Sequence, residues 1–364
     1  MKIGNKHYRS IWVNPANPLE IQAIDQRFLP HEFYVRDLKH PDDFVHAIKD
    51  MLVRGAPLIG ITAAYGLYSA LLHSTAHNAD DNLKKAHDKL LATRPTASNL
   101  KWALAKQMHA INAGKNLGEK IKLALENANH LADEDVKACK QIGKYGLPLI
   151  EGISKKKNGA PVNILTHCNA GWLATVDYGT ATAPIYLAHD AGVNVHVWVD
   201  ETRPRNQGAS ITAFELGKHG VPHTVIVDNA GGHLMQRGMV DLCIVGTDRT
   251  LASGDVCNKI GTYLKALAAH DNKIPFYVAL PSSSIDWETK DASAIPIEER
   301  NENEVKHVHG FDGKKIASVL VTPSHSKVSN YGFDITPARL ITGLITERGI
   351  CKPDRKELSL MFYE

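Results

Sequence analysis

Cysteines are few, and none stands near another. The five, Cys139, Cys168, Cys243, Cys257 and Cys351, are odd in number and widely spaced, which excludes a disulfide framework and a CxxC zinc site. The histidines show no HExxH or other metal-ligand spacing. His307 and His309 lie close together in a polar stretch that reads as a solvated loop. Nucleotide signatures are missing too. No GxxxxGK(S/T) loop occurs, and the first strand of the alternating region runs into Cys168-Asn169-Ala170-Gly171, not G-x-G-x-x-G. No metal and no cofactor are expected. Charge of one sign is also scarce: the formal net charge is +3, and the basic residues are dispersed, which argues against a nucleic-acid partner. The single compact basic run, Lys155–Lys157, reads as solvated. The N-terminal MKIGNKHYRSIWVNP has no apolar core of signal-peptide length. Gly55 to Leu72 carries no charge, but it falls short of the roughly 20 apolar residues a span needs and contains Pro57, Thr62, Tyr65, Tyr68 and Ser69. A helix buried in a core is expected there, with no membrane partner. Free cysteines and no signal peptide fit a reducing, cytoplasmic setting.

What is present is length, 364 residues, enough for two domains with substantial cores. Short apolar and polar runs alternate from Ile11 to Leu38, as in a small sheet. From Pro41 to Ile150 the rhythm is helical, with Asp42, Phe44, Val45, Ile48 and Met51–Leu52 at three-to-four spacing. Pro57 and Pro95 each stand where a helix can open. Helices are expected over Ala97–Met108, Glu119–Ala132 and Glu134–Lys144. Gly152 to Pro161 (GISKKKNGAP) is the best boundary candidate, dividing residues 1–152 from 160–364. Beyond it, strand candidates Val162–Leu165, Val195–Val199, Thr224–Val227, Leu242–Val245 and Phe276–Leu280 alternate with helical candidates Tyr178–Asp190, Ala209–Lys218, Gly232–Arg237 and Asn258–His270. That alternation predicts an α/β fold with a doubly wound parallel sheet. Ile316–Val321 is expected to add a strand, Thr336–Arg348 a terminal helix, and Ile297–Lys306 a solvated loop or helix face.

Each strand candidate ends on a functional group: Cys168, Asp200–Glu201, Asp228–Asn229, Asp248–Arg249 and Ser282–Ser284 in turn. The carboxyl edge of such a sheet is where ligands bind, so a small-molecule site is expected there. Cys168 follows a strand and precedes Asn-Ala-Gly, where free backbone N–H groups would stabilise a thiolate. The plain alternative is a small buried hydrophobe, which suits Cys243 and Cys139. A cysteine-protease nucleophile lacks a base at recognisable spacing, and His167 points to the opposite face if the strand continues. Asp248 ends an apolar run, where desolvation raises a carboxyl pKa and fits it for acid work; capping the helix expected near Asn258 is the alternative, and Asp255 suits that better. Arg54 and Arg94 each precede a helix-opening proline, which sets a cation beside free helix N–H groups and makes an anion site; a surface salt bridge is the plain alternative.

The strings RGAPLIGITAAYG (Arg54–Gly66), RPTASNLKWAL (Arg94–Leu104), THCNAG (Thr166–Gly171), DETRPRNQGA (Asp200–Ala209), GDVCNKIGTY (Gly254–Tyr263) and IPIEER (Ile295–Arg300) resemble those of the methylthioribose-1-phosphate isomerases. The wider family holds regulatory subunits of translation initiation factor 2B and ribose-1,5-bisphosphate isomerase. The likeness runs from about Ile11 to Ile350. It implies a small N-terminal strand-and-helix domain, a larger Rossmann-like C-terminal domain and a homodimer. It implies conversion of 5-methylthioribose 1-phosphate to 5-methylthioribulose 1-phosphate in methionine salvage. The catalytic cysteine and aspartate of the family fall on Cys168 and Asp248. Its substrate-binding positions fall on Arg54, Gly55, Ala56, Arg94, Gln207, Asn258 and Lys259.

Those residue types suit the reaction. A C1 phosphate blocks the free aldehyde, so the ring must open with the phosphate attached. Asp248 would be the acid at the ring oxygen, and Cys168 the base on C2 or a support for a direct hydride shift. The chain departs from the family pattern at Asn330-Tyr331-Gly332-Phe333-Asp334, where Asn-Pro-Ala-Phe-Asp is usual, and at Asp228-Asn229-Ala230-Gly231-Gly232. Trp172 replaces a common alanine and is expected in the pocket wall. These departures make 5-deoxyribose 1-phosphate an alternative substrate. From another class, a non-catalytic regulatory subunit need not keep the cysteine–aspartate pair.

Overall fold

The computed structural model describes residues 1–94 and 96–363. The helix-opening role expected of Pro95 lies outside the described residues. A hairpin of β1 (Lys2–Ile3) and β2 (Lys6–His7) precedes a three-stranded antiparallel sheet of β3 (Ile11–Val13), β4 (Ile21–Asp25) and β5 (Tyr34–Leu38). Five helices follow: α1 (Pro41–Lys49), α2 (Ala56–Leu72), α3 (Ala79–Leu91), α4 (Ser98–Asn112) and α5 (Leu117–Lys156). Every residue of α2 from Ala56 to Leu71 is buried, as its apolar character on all faces requires. The other four helices pack around it. Among the described residues, no helix is long and apolar enough to cross a membrane.

Helix α5 corrects two expectations. The segments Glu119–Ala132 and Glu134–Lys144 are one helix, which continues through Pro148 to Lys156 and takes in the start of the GISKKKNGAP stretch. Between Gly118 and Gly143 it holds no glycine or proline, so the sequence offers no stop there. At about 1.5 Å per residue it spans about 60 Å.

The alternating region forms a seven-stranded sheet whose elements are β6 (Val162–Thr166), α6 (Ala183–Asp190), β7 (Val195–Asp200), α7 (Ala213–His219), β8 (His223–Ile226), α8 (Ala230–Gln236) and β9 (Leu242–Val245), completed by strands described below. After β9 the chain leaves it for β10 (Arg249–Leu251) and β11 (Val256–Lys259), then returns through α9 (Thr262–Asp271) to β12 (Phe276–Ala279). Next come β13 (Ile285–Asp286), α10 (Asn303–Lys306), the hairpin β14 (His307–Phe311) and β15 (Ile316–Leu320), β16 (Phe333–Thr336), β17 (Gly343–Thr346), β18 (Gly349–Cys351) and α11 (Arg355–Tyr363). The large sheet has the order β18-β17-β12-β9-β6-β7-β8, with only β18 antiparallel. Its winding reverses between β6 and β9, neighbours in register at Ile164–Leu242 and Leu165–Cys243. A four-stranded sheet, β13-β10-β11-β16, stands beside it.

Other expectations fail for local reasons. Asn258 and Lys259 lie on β11, paired with Asp334 and Phe333, and the helix starts only at Thr262 after Gly261 in a left-handed conformation. Tyr178–Asp190 is helical only from Ala183. Ala209–Lys218 begins as a π-helical turn over Gly208–Thr212. Thr336–Arg348 is no helix: β16 ends in it, β17 crosses it, and Pro337 opens only a 3-10 turn, Ala338–Leu340. Ile316–Val321 supplies β15, which pairs in a separate hairpin and not in the large sheet.

The root of that hairpin is held by charge. Glu304 of α10 pairs with Arg300 and Arg205, each at 2.9 Å, and accepts from Asn330 Nδ2 at 3.0 Å. Burial alone would raise its pKa, but the two guanidinium groups outweigh it and bring the value to about 2. A carboxyl with a depressed folded pKa stabilises above its unfolded value and loses that contribution as pH falls towards the folded one. Glu304→Gln should therefore lower the thermal midpoint at neutral pH, and the gap from the unsubstituted protein should narrow as pH falls from 4.5 to about 2. A gap independent of pH would remove the ion pair from the stability of this region.

Candidate active site

The reversal of winding leaves a crevice at the carboxyl ends of β6 and β9, the place where open parallel sheets bind ligands. The residues leaving β6 are His167 and Cys168; those leaving β9 are Gly246, Thr247 and Asp248. They line one cavity of ≈ 30 Å³ together with Arg54, Gly55, Ala56 and Asn258. Two chain segments 80 positions apart, 168 and 248, thus meet across one hollow.

Cys168 is buried and sits at φ 65°, a left-handed conformation unusual for a side-chain-bearing residue. The turn is pinned at both ends. The Cys168 N–H donates to Thr202 Oγ1 at 2.8 Å, and its carbonyl accepts from Thr212 Oγ1 at 2.7 Å. Its amide is therefore engaged, and the cation facing the sulfur is Lys259. Because β6 ends at Thr166 and the turn follows, strand alternation stops and His167 lines the same cavity as Cys168, not the opposite face.

Asp248 is half-buried, and its desolvation raises its pKa, opposed by Arg94, Lys259 and Arg54 and assisted by Glu298. Lys259 shows the mirror image: burial lowers its pKa, and Cys168 and Asp248 oppose that. The Lys259 ammonium donates to the Gly332 carbonyl at 2.8 Å and stands 4.6 Å over the Phe333 ring. Arg94 lies 5.9 Å from the same ring, and its Nε donates to Glu298 at 3.2 Å. Its Nη1, also buried, meets no partner among the described residues. Arg54 donates to the side chain and carbonyl of Asn169, and Asn169 is held by Thr212 and Glu215.

Gly55 and Ala56 open α2 at the cavity. Gly55 has φ +96°, and a Cβ there would stand 2.5 Å from backbone atoms of Ala174, so no other residue fits. The first helical bond runs from the Ile59 N–H to the Gly55 carbonyl. The amides of the first turn therefore have no helical acceptor, and the positive end of the dipole adds to Arg54. One guanidinium, one helix terminus and, nearby, the open Nη1 of Arg94 are the groups that could take an anion here.

Two expected residues fall elsewhere. Gln207 lines an adjoining cavity of ≈ 280 Å³ that also touches Arg54, with its buried Oε1 unpartnered. Trp172 is not in the wall: its side chain is wholly buried in the core with Leu173 and Ile185, and its backbone N–H donates to Glu215 at 3.0 Å. Ser282 and Ser283 line a third cavity of ≈ 380 Å³ behind α2. Asp200 and Asp228, with His167, bring one possible metal-ligand atom each within 4.8 Å of one another, but the Lys265 ammonium stands 3.1 Å from Asp200 and donates to the Asp228 carbonyl. The residues that hold the site and went unread are Asn169, Thr202 and Glu298; each sits inside one of the motif strings, the one signal that marks them.

Fold and pocket together define a Rossmann-like α/β protein with a desolvated, cation-lined pocket where the sheet reverses. A family model described as the initiation factor 2 subunit family matches residues 52–353. Methylthioribose-1-phosphate isomerase of Desulfatibacillum aliphaticivorans is 56% identical over 364 residues, covering 100% of this chain and 99% of its own. The protein of that name from Brucella anthropi is 57% identical over 368 residues, covering 100% of both. The crystal structure of 5-methylthioribose 1-phosphate isomerase from Pyrococcus horikoshii OT3 superposes with a TM-score of 0.83 at 39% identity, over 98% of this chain and 96% of that one. Translation initiation factor eIF-2B subunit delta from A. fulgidus superposes with a TM-score of 0.79 at 37% identity, over 98% and 100%. The chain belongs to the initiation factor 2 subunit family and, within it, to the methylthioribose-1-phosphate isomerases. It is an isomerase of methionine salvage.

Arg94→Ala removes a charged donor that no other described group replaces. Its expected effect is a rise in KM of about 10- to 100-fold, the worth of one hydrogen bond to a charged group. An unchanged KM would remove Arg94 from the anion site.

Proposed function

We propose that this chain converts 5-methylthioribose 1-phosphate to 5-methylthioribulose 1-phosphate, with Asp248 as the acid and Cys168 as the base. The observation that carries the reading is the placing of Cys168 and Asp248 on one cavity whose other wall holds Arg54 and the start of α2. The C1 phosphate sits against Arg54, Arg94 and the amides that open α2. Asp248, kept protonated more readily by burial, donates to the ring oxygen as the C1–O bond breaks. Cys168, the base, with the Lys259 ammonium acting on it, takes the proton from C2 and leaves a C1–C2 enol phosphate. The thiol, its proton exchanged with solvent, delivers a proton to C1, the C2 hydroxyl proton passes to the Asp248 carboxylate, and the ketone results. Protons and charge balance over the cycle, and both groups end as they began.

The 5-substituent extends into the adjoining cavity, where Phe28, Leu29, Met51, Ile211 and Ile316 give apolar surface for a methylthio group. Of the three arginines in its wall, Arg54 serves the C1 phosphate and the other two are already paired: Arg27 with Asp25 at 2.7 Å and Arg205 with Glu304 at 2.9 Å. A 5-phosphate would have to displace a carboxylate, which disfavours ribose 1,5-bisphosphate. The carboxylate and thiol in place distinguish this chain from a non-catalytic regulatory subunit.

Cys168→Ser and Asp248→Asn should each lower kcat by about 10²- to 10⁴-fold, the worth of general acid–base catalysis, with the fold retained by circular dichroism. Near-normal turnover by either folded variant would reject its assignment. Isomerisation in deuterium oxide should place deuterium at C1 of the ketose. Complete absence of label there would replace the base mechanism with a direct hydride shift.

A further inference from the structure

His167 is a pocket residue to which the reaction assigns no task, and its environment is specific. Its side chain is 1% exposed and that of Asp200 is 0% exposed. Its Nδ1 stands 2.8 Å from Asp200 Oδ2, and its Nε2 stands 2.8 Å from the Ile260 carbonyl. Both partners are acceptors, so both ring nitrogens must carry hydrogen to satisfy them. Negative charge is gathered around the ring: Asp228 Oδ1 lies 4.0 Å from Nδ1, and Asp334 interacts with His167 electrostatically. Lys265 shares Asp200 at 3.1 Å, so the ring and an ammonium together balance one buried carboxylate.

The contacts join two separate parts of the pocket. On one side, His167 precedes Cys168 in the chain, and Thr202, which takes the Cys168 N–H, donates its own hydroxyl hydrogen to the Asp200 carbonyl at 3.0 Å. On the other side, Ile260 directly follows Asn258 and Lys259 on β11. Gly261 makes room for the ring: a Cβ there would stand 3.0 Å from the imidazole, and its φ is +101°. Asp334 holds the same turn from beyond, accepting from the amides of Gly261 at 2.7 Å and Tyr263 at 3.2 Å. With both nitrogens engaged, the ring has no lone pair to act as a base.

We propose that His167 is a positioning residue: a doubly donating clamp between Asp200 and the Ile260 carbonyl that fixes the Cys168 turn relative to the Asn258–Lys259 strand. The clamp sets the sulfur against the ammonium that faces it, and its kinetic consequence rests on the isomerase reading above. A displacement of about 1 Å at such a pair costs about 100-fold in rate.

The test is His167→Asn, whose carboxamide can still donate towards Asp200 but does not reach Ile260, beside His167→Gln, which reverses that choice. Both should lower kcat by about 100-fold with KM within about threefold, per folded molecule. A purely structural role would instead lower the melting temperature and leave kcat per folded molecule unchanged, and that result overturns the proposal. The unsubstituted protein gives an independent readout that needs no variant to fold. Labelled with nitrogen-15 histidine, it should show two hydrogen-bonded ring N–H resonances from His167 at the assay pH; a single ring N–H overturns the clamp. If the unsubstituted protein does not turn over the sugar phosphate, the activity reading fails, and the resonances alone decide the clamp.

Discussion

The partial withdrawal of Asp248 from water among Arg54, Arg94 and Lys259 is the constraint on which the rest of the structure depends. Burying an ion costs several kcal/mol even after relaxation, and partners offset that only when their own hydrogen bonds are met. Each cation is therefore anchored on its far side: Arg54 by Asn169, Arg94 by Glu298, Lys259 by the Gly332 carbonyl and the Phe333 ring. For Asp248 itself, burial outweighs three attractive cations, and its pKa moves up. A phosphate bound among the same cations would neutralise part of their field and favour the protonated carboxyl further, which is the form an acid needs.

The fold supplies this arrangement without long loops. Reversal of strand order between β6 and β9 sets Cys168 and Asp248 at neighbouring strand ends. The smaller sheet then returns Asn258 and Lys259 on β11, paired with Asp334 and Phe333 on β16. The start of α2 closes the remaining side, where Gly55 packs against Ala174 too closely for any side chain. Three parts of the chain thus meet at one hollow, and the His167 ring ties two of them together.

Much of this was legible in the sequence, for reasons that mark what was not. Buried parallel strands are short apolar runs closed by polar residues, so Val162–Thr166, Val195–Asp200 and Leu242–Val245 announced themselves, as did the functional groups at their ends. The α2 stretch read as a buried helix because no face of it is polar. Segments that mix signals misled: Val256–Lys259 carries two polar residues and precedes a true helix, so strand and helix merged in the reading. The terminal helix expected after Pro337 was two strands joined by a 3-10 turn, because Leu340, Ile341, Leu344 and Ile345 satisfy both periods. Trp172 was assigned to the pocket because it follows the cysteine turn by four residues, yet the turn at Cys168 redirects the chain and sends the indole into the core. Contacts made through backbone atoms, such as Gly332 with Lys259 or Ile260 with His167, leave no trace in residue type.

The central claim is that the protein environment raises the pKa of Asp248 by removing it from water while cations face it. Carbon-13 NMR titration of the Asp248 carboxyl, identified by its loss in Asp248→Asn, measures this directly. The account predicts a midpoint above 3.8, the ordinary value for an aspartate. A midpoint at or below that value would mean that the cations prevail over burial, and the carboxyl would be a poorer acid than an aspartate in water.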